Sequence, residues 1–331
     1  MSQLIHYTDI DLFCSDMNRL GRESTPFLFI INYELNEAFL CEHPDKCNSF
    51  RFALNNRPML FPSVEAHAKR VYFQSFPIGE DQYTHKFNRI HQGLRRGDSF
   101  LANLTVKTPV ETNLSLNEIF ERSDAPYKIY LPGRFVCFSP ERFVKISQGI
   151  ISSNPMKGTI SASIPNAAEK ILADFKETAE HSTIVDLIRN DLSIVAKHVE
   201  VKRFRYFDSI ITQSGEEILQ VSSEITGRLP ENYREHLGDI FLKLLPAGSI
   251  SGAPKDATVK LIGEAEQEDR GFYSGIFGCF DGKNVDSAVM IRFIEELNGK
   301  LYFRSGGGIT AYSQCKEEYK EVLKKIYLPI Q

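Results

Sequence analysis

The sequence predicts an α+β chain whose strands pair antiparallel. Short runs rich in aromatic and β-branched residues recur along its length, the composition of half-buried strands. Four of them, between residues 127 and 153, are joined by connections too short for a parallel crossover. Stretches with helical spacing interrupt these runs, residues 81–96 and 167–196 being the clearest.

In order, residues 27–33, 49–54 and 70–76 read as strands, with a proline-containing loop over 55–68. Tyr83, Phe87, Ile90 and Leu94 recur at steps of four, three and four, which makes 81–96 an amphipathic helix ended by Gly97. Residues 99–108 form a strand stopped by Pro109, and Ser115 is placed to cap a short helix over 115–122. Strands follow at 127–131, 135–138, 143–147 and 149–153. The corner between the middle two holds Glu141. Its spacing alone favours a turn carboxylate paired to Arg142 over a strand-end carboxylate facing a cavity. The last of these strands runs into Pro155-Met156-Lys157-Gly158-Thr159. Pro155 ends the ladder, Lys157 offers an amine on a flexible stem, and Gly158 permits close backbone approach. Those five residues alone favour an ordinary surface lysine, but a site that kept the amine neutral would make it a nucleophile.

Residues 167–196 read as one long helix or two in succession, with Glu177 and Glu180 three apart on one face. That face is either solvated or a source of carboxylates for a hard cation. Strands are expected at 200–207, 209–212 and 217–226, the last closed by Gly227, and then a helix over 233–244 stopped by Pro246. The small-residue loop 247–255 feeds another helix, with Pro254 in its first turn; such a loop can hold an anion, although it lacks the Walker spacing. Strands at 272–280, 285–293 and 300–304 follow. Arg292 lies in the apolar run 288–294, where an arginine wants a carboxylate partner. Ser305-Gly306-Gly307-Gly308-Ile309 is either a flexible turn or a set of amides facing a ligand. The last helix, 313–327, buries Tyr319, Val322, Leu323 and Ile326 and carries Glu318 and Glu321 on its flank. Together these features outline a Mg2+ site beside an anion pocket.

Composition excludes several classes. The 331 residues are 42% hydrophobic and 25% charged, enough for a sizeable core in one large domain or two. A net charge of −4 gives no basic field for nucleic acid or an anionic membrane, so an anionic substrate must be held by local cations or a metal. The six cysteines form no C-x-x-C pair, and reduced thiols in a cytoplasmic protein account for them. The first residues lack a basic region followed by an apolar run, so no signal peptide is expected, and no apolar run reaches the roughly 20 residues of a membrane span.

Seven blocks, in order, resemble the chorismate-utilising enzymes, the group of anthranilate synthase component I, aminodeoxychorismate synthase component I, and the isochorismate and salicylate synthases. They are S-P-E-R-F at 139–143, P-M-K-G-T at 155–159, A-E-H-S-T-I-V-D-L-I-R-N-D-L at 179–192, G-S-I-S-G-A-P-K at 248–255, R-G-F-Y-S-G-I-F-G at 270–278, I-R with S-G-G-G-I within 291–309, and E-E-Y-K-E at 317–321. The resemblance runs from about residue 81 to the end, which makes 81–331 the chorismate-binding region and 1–80 a short β-rich portion of the same fold. Lys157 points to the aminodeoxychorismate synthases, since anthranilate synthases look like P-I-A-G-T there. Asp239 fits the same choice, where anthranilate synthases tend to have histidine. Leu101 stands where isochorismate and salicylate synthases carry a water-activating lysine. Asn154, His181 and Ser182 depart from the commoner residues without removing a catalytic group. The alternatives are anthranilate synthase component I and a non-catalytic chorismate-binding subunit.

The resemblance implies two antiparallel sheets packed as a sandwich around the active site with helices outside, in agreement with the many short strands. It implies Glu180 and Glu321 as direct Mg2+ ligands with Glu177 and Glu318 close by, and Arg292, Tyr273, Gly307, Gly308, Thr159 and Ser249 around the substrate. Lys157 would attack C2 of chorismate while Glu141 protonates the departing C4 hydroxyl, and ammonia would then displace the lysine. The chain shows no glutaminase-type cysteine motif, so the family implies a separate glutaminase subunit as the ammonia source.

Overall fold

Phe27, Phe29 and Ile31 point to one side of their strand and Leu28 and Ile30 to the other, and all five are fully buried. A strand apolar on both faces has to lie between two layers, and the rest of the architecture supplies them. The computed structural model describes residues 2–55, 70–211 and 216–330.

In chain order, strand β1 (Leu4–Tyr7), helix α1 (Ile10–Arg22), β2 (Phe27–Ile31), β3 (Ala38–Glu42), β4 (Arg51–Ala53) and β5 (Phe73–Ser75) precede helix α2 (Glu80–Arg96). Next come β6 (Leu101–Thr112), α3 (Leu116–Arg122), β7 (Tyr127–Leu131), β8 (Phe135–Ser139), β9 (Arg142–Ser147), β10 (Ile150–Ser153) and β11 (Met156–Ser161). Helices α4 (Ala167–Ala173) and α5 (Phe175–Val195) lead to the long paired strands β12 (Lys197–Ile211) and β13 (Glu217–Arg228), then α6 (Leu237–Leu244), β14 (Gly252–Ala253) and α7 (Lys255–Glu266). The chain closes with β15 (Ile276–Phe280), β16 (Val285–Val289), β17 (Phe293–Leu297), β18 (Lys300–Ile309) and α8 (Cys315–Lys324).

The strands form two antiparallel sheets. One has the order β1-β3-β2-β15-β16-β9-β10-β13-β11, with β12 also on β13; the other has β14-β6-β18-β17-β8-β7-β4, with β5 also on β6. Leu28, Ile30, Phe277 and Cys279 of the first sheet pack with Ile129, Phe135, Cys137 and Phe293 of the second, which is the core between the layers. The other face of the first sheet is covered by α1, α5 and α6 through residues such as Met17, Ile188 and Phe241. The second sheet is covered by α2, α7 and α8 through Phe87, Leu261 and Val322, and by α3 through Phe120. This is an α+β fold of the expected kind. Among the described residues no helix is long and apolar enough to cross a membrane.

Several expectations change. Helix α1, capped by the Asp9 carboxylate, was not anticipated. Strand β6 continues through Pro109, whose carbonyl accepts from Phe76 N–H just past the end of β5, so the missing donor falls at the end of that pairing rather than within it. Residues 197–211 are one strand, and the expected Thr212 and most of the loop over 55–68 lie outside the described residues. Gly227 sits inside β13, where a methyl group would stand 2.8 Å from Ala196 Cβ. The helical pattern over 167–196 is two helices, broken at Asp174, whose side chain caps α5. Ser115 and Glu118 form a full capping box at α3.

Candidate active site

Two of the places where the chain changes sheets are tight corners, and these corners build the site. Between β8 and β9 it passes from the second sheet to the first at Pro140-Glu141; between β16 and β17 it returns at Met290-Ile291-Arg292. The corners bond to each other: Phe138 N–H donates to Arg292 O at 3.0 Å, and Val289 N–H to Glu141 O at 3.2 Å. The apolar run 288–294 is therefore not one strand, and Arg292 sits at φ +53°, in left-handed backbone that a non-glycine residue rarely adopts. Among the described residues its expected carboxylate partner is missing. Nε of Arg292 is buried with no hydrogen-bond partner, and Cζ lies 5.7 Å from the Tyr327 ring. A buried, unsatisfied guanidinium nitrogen on a cavity wall suits an anionic ligand.

That wall belongs to a cavity of about 580 Å3 where the two sheets meet. Glu141, Lys157, Gly158, Thr159, Ser249, Tyr273, Arg292, Gly307 and Gly308 all line it, so the structure gathers these sequence-selected residues in one place. Glu141 is not the turn carboxylate paired to Arg142. Its Oε1 accepts from Ser249 Oγ at 2.7 Å, while Arg142 turns to Asp286 and Tyr127. Burial pushes the Glu141 carboxyl above the usual range, opposed by the Ser249 hydrogen bond and by the charges of Lys157, Arg292 and Lys325. A carboxyl so placed keeps its proton to higher pH than a solvated one. Burial likewise pushes the Tyr273 hydroxyl up to about 12, which leaves it a donor. Tyr273 comes from the turn before β15 rather than from the strand itself.

Lys157 stands on β11 with Nζ 3.6 Å from Glu180 Oε2 and its side chain about a third exposed (33%), so it is a strand lysine facing a carboxylate rather than a turn lysine. A methyl group at Gly308 would lie 3.7 Å from the same Nζ and 3.2 Å from Leu101 Cδ1. The glycine run is neither a loop nor a turn. Residues 305–309 belong to β18 and pair with β6, whereas β17 stops opposite Arg304, so among the described residues the other edge of β18 has no strand partner there.

The four glutamates come from α5 and α8; none lines the cavity, but each lies beside a residue that does. A methyl group at Gly307 would stand 3.6 Å from Glu318 Oε2 and 3.8 Å from Glu321 Oε1; one at Gly158 would stand 3.0 Å from Glu177 Oε2. Glu318 is buried, and Glu321 is 2.7 Å from Lys325. Among the described residues no three carboxylate, imidazole or thiol groups converge on one point. The donor set still fits Mg2+, which uses one or two carboxylates and fills its other positions with water and substrate oxygens.

Sequence reasoning missed Lys325 and Gln220, both on the cavity wall. Lys325 follows Glu321 by one helical turn, which was a readable signal; its Nζ donates to Gly306 O at 2.8 Å. Burial pulls the Lys325 amine down, with Lys157 and Arg292 adding to the effect and Glu321 opposing it. Asp239 lies away from the cavity, accepting from Cys14 and Asn18 of α1 and close to His236.

The family described as chorismate binding enzyme matches residues 19–331. An uncharacterized PabA-like protein of Haemophilus influenzae is 47% identical over 96% of this chain and 97% of its own length. Aminodeoxychorismate synthase component 1 of Salmonella typhimurium is 33% identical over 74% of this chain, a stretch that makes up 56% of that protein. Among solved structures, a 2,3-dihydroxybenzoate-specific isochorismate synthase from Bacillus anthracis superposes with a TM-score of 0.71 over 98% of this chain and 89% of its own, at 18% identity.

Proposed function

Since the chain belongs to the chorismate-binding enzymes, we propose that it is the amination component of an aminodeoxychorismate synthase. It converts chorismate and ammonia to 4-amino-4-deoxychorismate and water. The observation that carries this reading is Lys157, an amine on the wall of the same cavity as Glu141, an acid whose pKa is raised by burial.

Chorismate is a dianion. Arg292, Tyr273 and the backbone of Gly307 and Gly308 take one carboxylate, with Thr159 and Ser249 at the rim. The carboxylates of Glu180 and Glu321, with Glu177 and Glu318 beside them, suit Mg2+, which when bound supplies positive charge for the ring carboxylate. Lys157 Nζ forms a bond to C2, the ring double bonds shift, and the C4–O bond breaks as Glu141 delivers its proton, so that water leaves. Ammonia then bonds to C4, the C2–N bond breaks, and its electron pair returns to Lys157. The new ammonium gives a proton to the Glu141 carboxylate, which restores the acid. Ammonia comes from a separate glutaminase subunit.

The test is the purified chain with chorismate, Mg2+ and ammonium, its products read by mass spectrometry. Aminodeoxychorismate that disappears in Lys157→Ala supports the reading. Anthranilate with pyruvate would refute the amination-only assignment. No turnover, even with a glutaminase and glutamine added, would leave a chorismate-binding subunit.

A further inference from the structure

Lys157 owes its position to a fault in the sheet. Met156 of β11 pairs with Ser222 of β13, and Thr159 pairs with Gln220, so Lys157 and Gly158 together stand opposite Val221 alone. This is a β-bulge, the device by which a sheet re-aims one side chain at the expense of its ladder. Gly158 takes φ +87° in it. A bulge leaves backbone groups without their ladder partner, and a flexible one would let Lys157 wander.

Gln220 closes the gap. Its Nε2 donates to Gly158 O at 3.1 Å, and its Oε1 accepts from Thr159 Oγ1 at 2.9 Å. One carboxamide thus grips the residues on the C-terminal side of Lys157, as a side-chain replacement for the ladder bond that the bulge removes. On the other side, Ser223 N–H donates to Pro155 O at 3.1 Å, and Ser223 Oγ is held 2.7 Å from Nε2 of the buried His181. Gln220 also lines the cavity. An amide cannot gain or lose a proton in the working range, so its part is geometric.

We propose that Gln220 is a positioning residue that fixes where Lys157 Nζ stands over the substrate ring. The inference rests on Lys157 as the nucleophile, and its test has one arm that does not. Gln220→Met removes both bonds at similar length, Gln220→Glu keeps the acceptor and loses the amide donor, and Thr159→Val removes one bond only. The first arm measures ammonia-dependent amination of chorismate. Gln220→Met is expected to lower kcat by about 10²-fold, the scale of an ångström-sized misplacement, with KM for chorismate within about threefold. Gln220→Glu and Thr159→Val are expected to fall between it and the wild type. The second arm measures acetylation of Lys157 by an active ester, read on its peptide by mass spectrometry. Release of the bulge is expected to raise that rate by roughly tenfold, as the part-exposed amine moves away from Glu180 and further into solvent. A merely structural glutamine would lower the thermal midpoint and leave both kcat of the folded fraction and the labelling rate unchanged, which would overturn the proposal. If the wild type produces no aminated product, the functional reading fails, and the labelling arm still decides whether Gln220 sets the lysine.

Discussion

Arg270 is the pin that joins the fold to the cavity, and its removal has a calculable cost. The side chain is 1% exposed. Its Nε and Nη2 donate to the two oxygens of Glu266 at 2.9 and 2.7 Å, Nη1 donates to Ile250 O at 2.9 Å, and Nη2 also reaches Asn103 O at 2.6 Å. Glu266 Oε1 takes Thr105 N–H as well, and the guanidinium lies 4.6 Å from the centre of the Tyr33 ring. Ile250 and Asn103 both line the cavity. Arg270→Met leaves a buried carboxylate without its cation, and the buried Ile250 carbonyl and the part-buried Asn103 carbonyl without their donor. Breaking a buried pair in this way costs about 3–5 kcal/mol. That is at least a fifth of the roughly 5–15 kcal/mol that holds a typical domain together. Urea unfolding is the assay, with the midpoint shifting at constant slope. The double variant Arg270→Met/Glu266→Leu removes the stranded charge and is expected to be more stable than the single one. A single variant costing less than about 1 kcal/mol, the scale of an exposed pair, would refute the argument.

Three further outcomes follow from the site. Glu141→Gln abolishes ammonia-dependent turnover yet stabilises the fold. Because folding raises the Glu141 pKa, the wild type loses stability as pH rises from the ordinary carboxylate range through that raised value, so the advantage of the glutamine variant grows with pH. Thermal midpoints at acid and neutral pH check the sign, and an advantage that shrinks with pH would contradict it. Gly158→Ala forces left-handed backbone on a residue with a side chain and sets its Cβ 3.0 Å from Glu177 Oε2, a cost of about 1–3 kcal/mol readable by urea unfolding. Arg292→Ala removes a charge-assisted contact and raises KM for chorismate roughly 10- to 100-fold, and Arg292→Lys recovers only part of it; an unchanged KM would remove Arg292 from the carboxylate site.

Much of the fold was legible because its signals are local. The steps from Tyr83 to Leu94 are those of α2, and Ser115 does cap α3. Helix α1 was equally readable, since Asp9 caps it and Phe13, Met17 and Leu20 recur at four and three, but the pattern was not drawn from the sequence. What could not be read locally is where a strand changes sheet. The run from Ala288 to Ile294 looks like a single strand because apolar character reports burial, and both sheets bury it. Only the tertiary pairing, β16 on β9 and β17 on β8, reveals the break at Arg292. The same limit misplaced Glu141. A corner carboxylate beside an arginine reads as an ion pair, until Asp286 from a neighbouring strand claims that arginine. The glycines 306–308 misled for a different reason. Their lack of side chains suggested a loop, whereas in β18 it keeps the cavity wall low between Leu101, Lys157 and the glutamates of α8.

The sheet changes also explain how a chain of net charge −4 can hold a dianion. A strand interior would bury Arg292 against apolar neighbours, where an unpaired guanidinium is prohibitively costly. A corner lets it reach the cavity instead, at the expense of a left-handed backbone of about 1–3 kcal/mol. The opposite corner puts Glu141 beside it, tied to Ser249, and the bulge in β11 brings Lys157 to the same wall. Each of these three side chains stands where regular pairing is interrupted. An uninterrupted sandwich would have aimed them into the core or out to solvent, because side chains in a regular strand have only those two directions. The interruptions provide the third direction, along the seam between the sheets, and the cavity lies there.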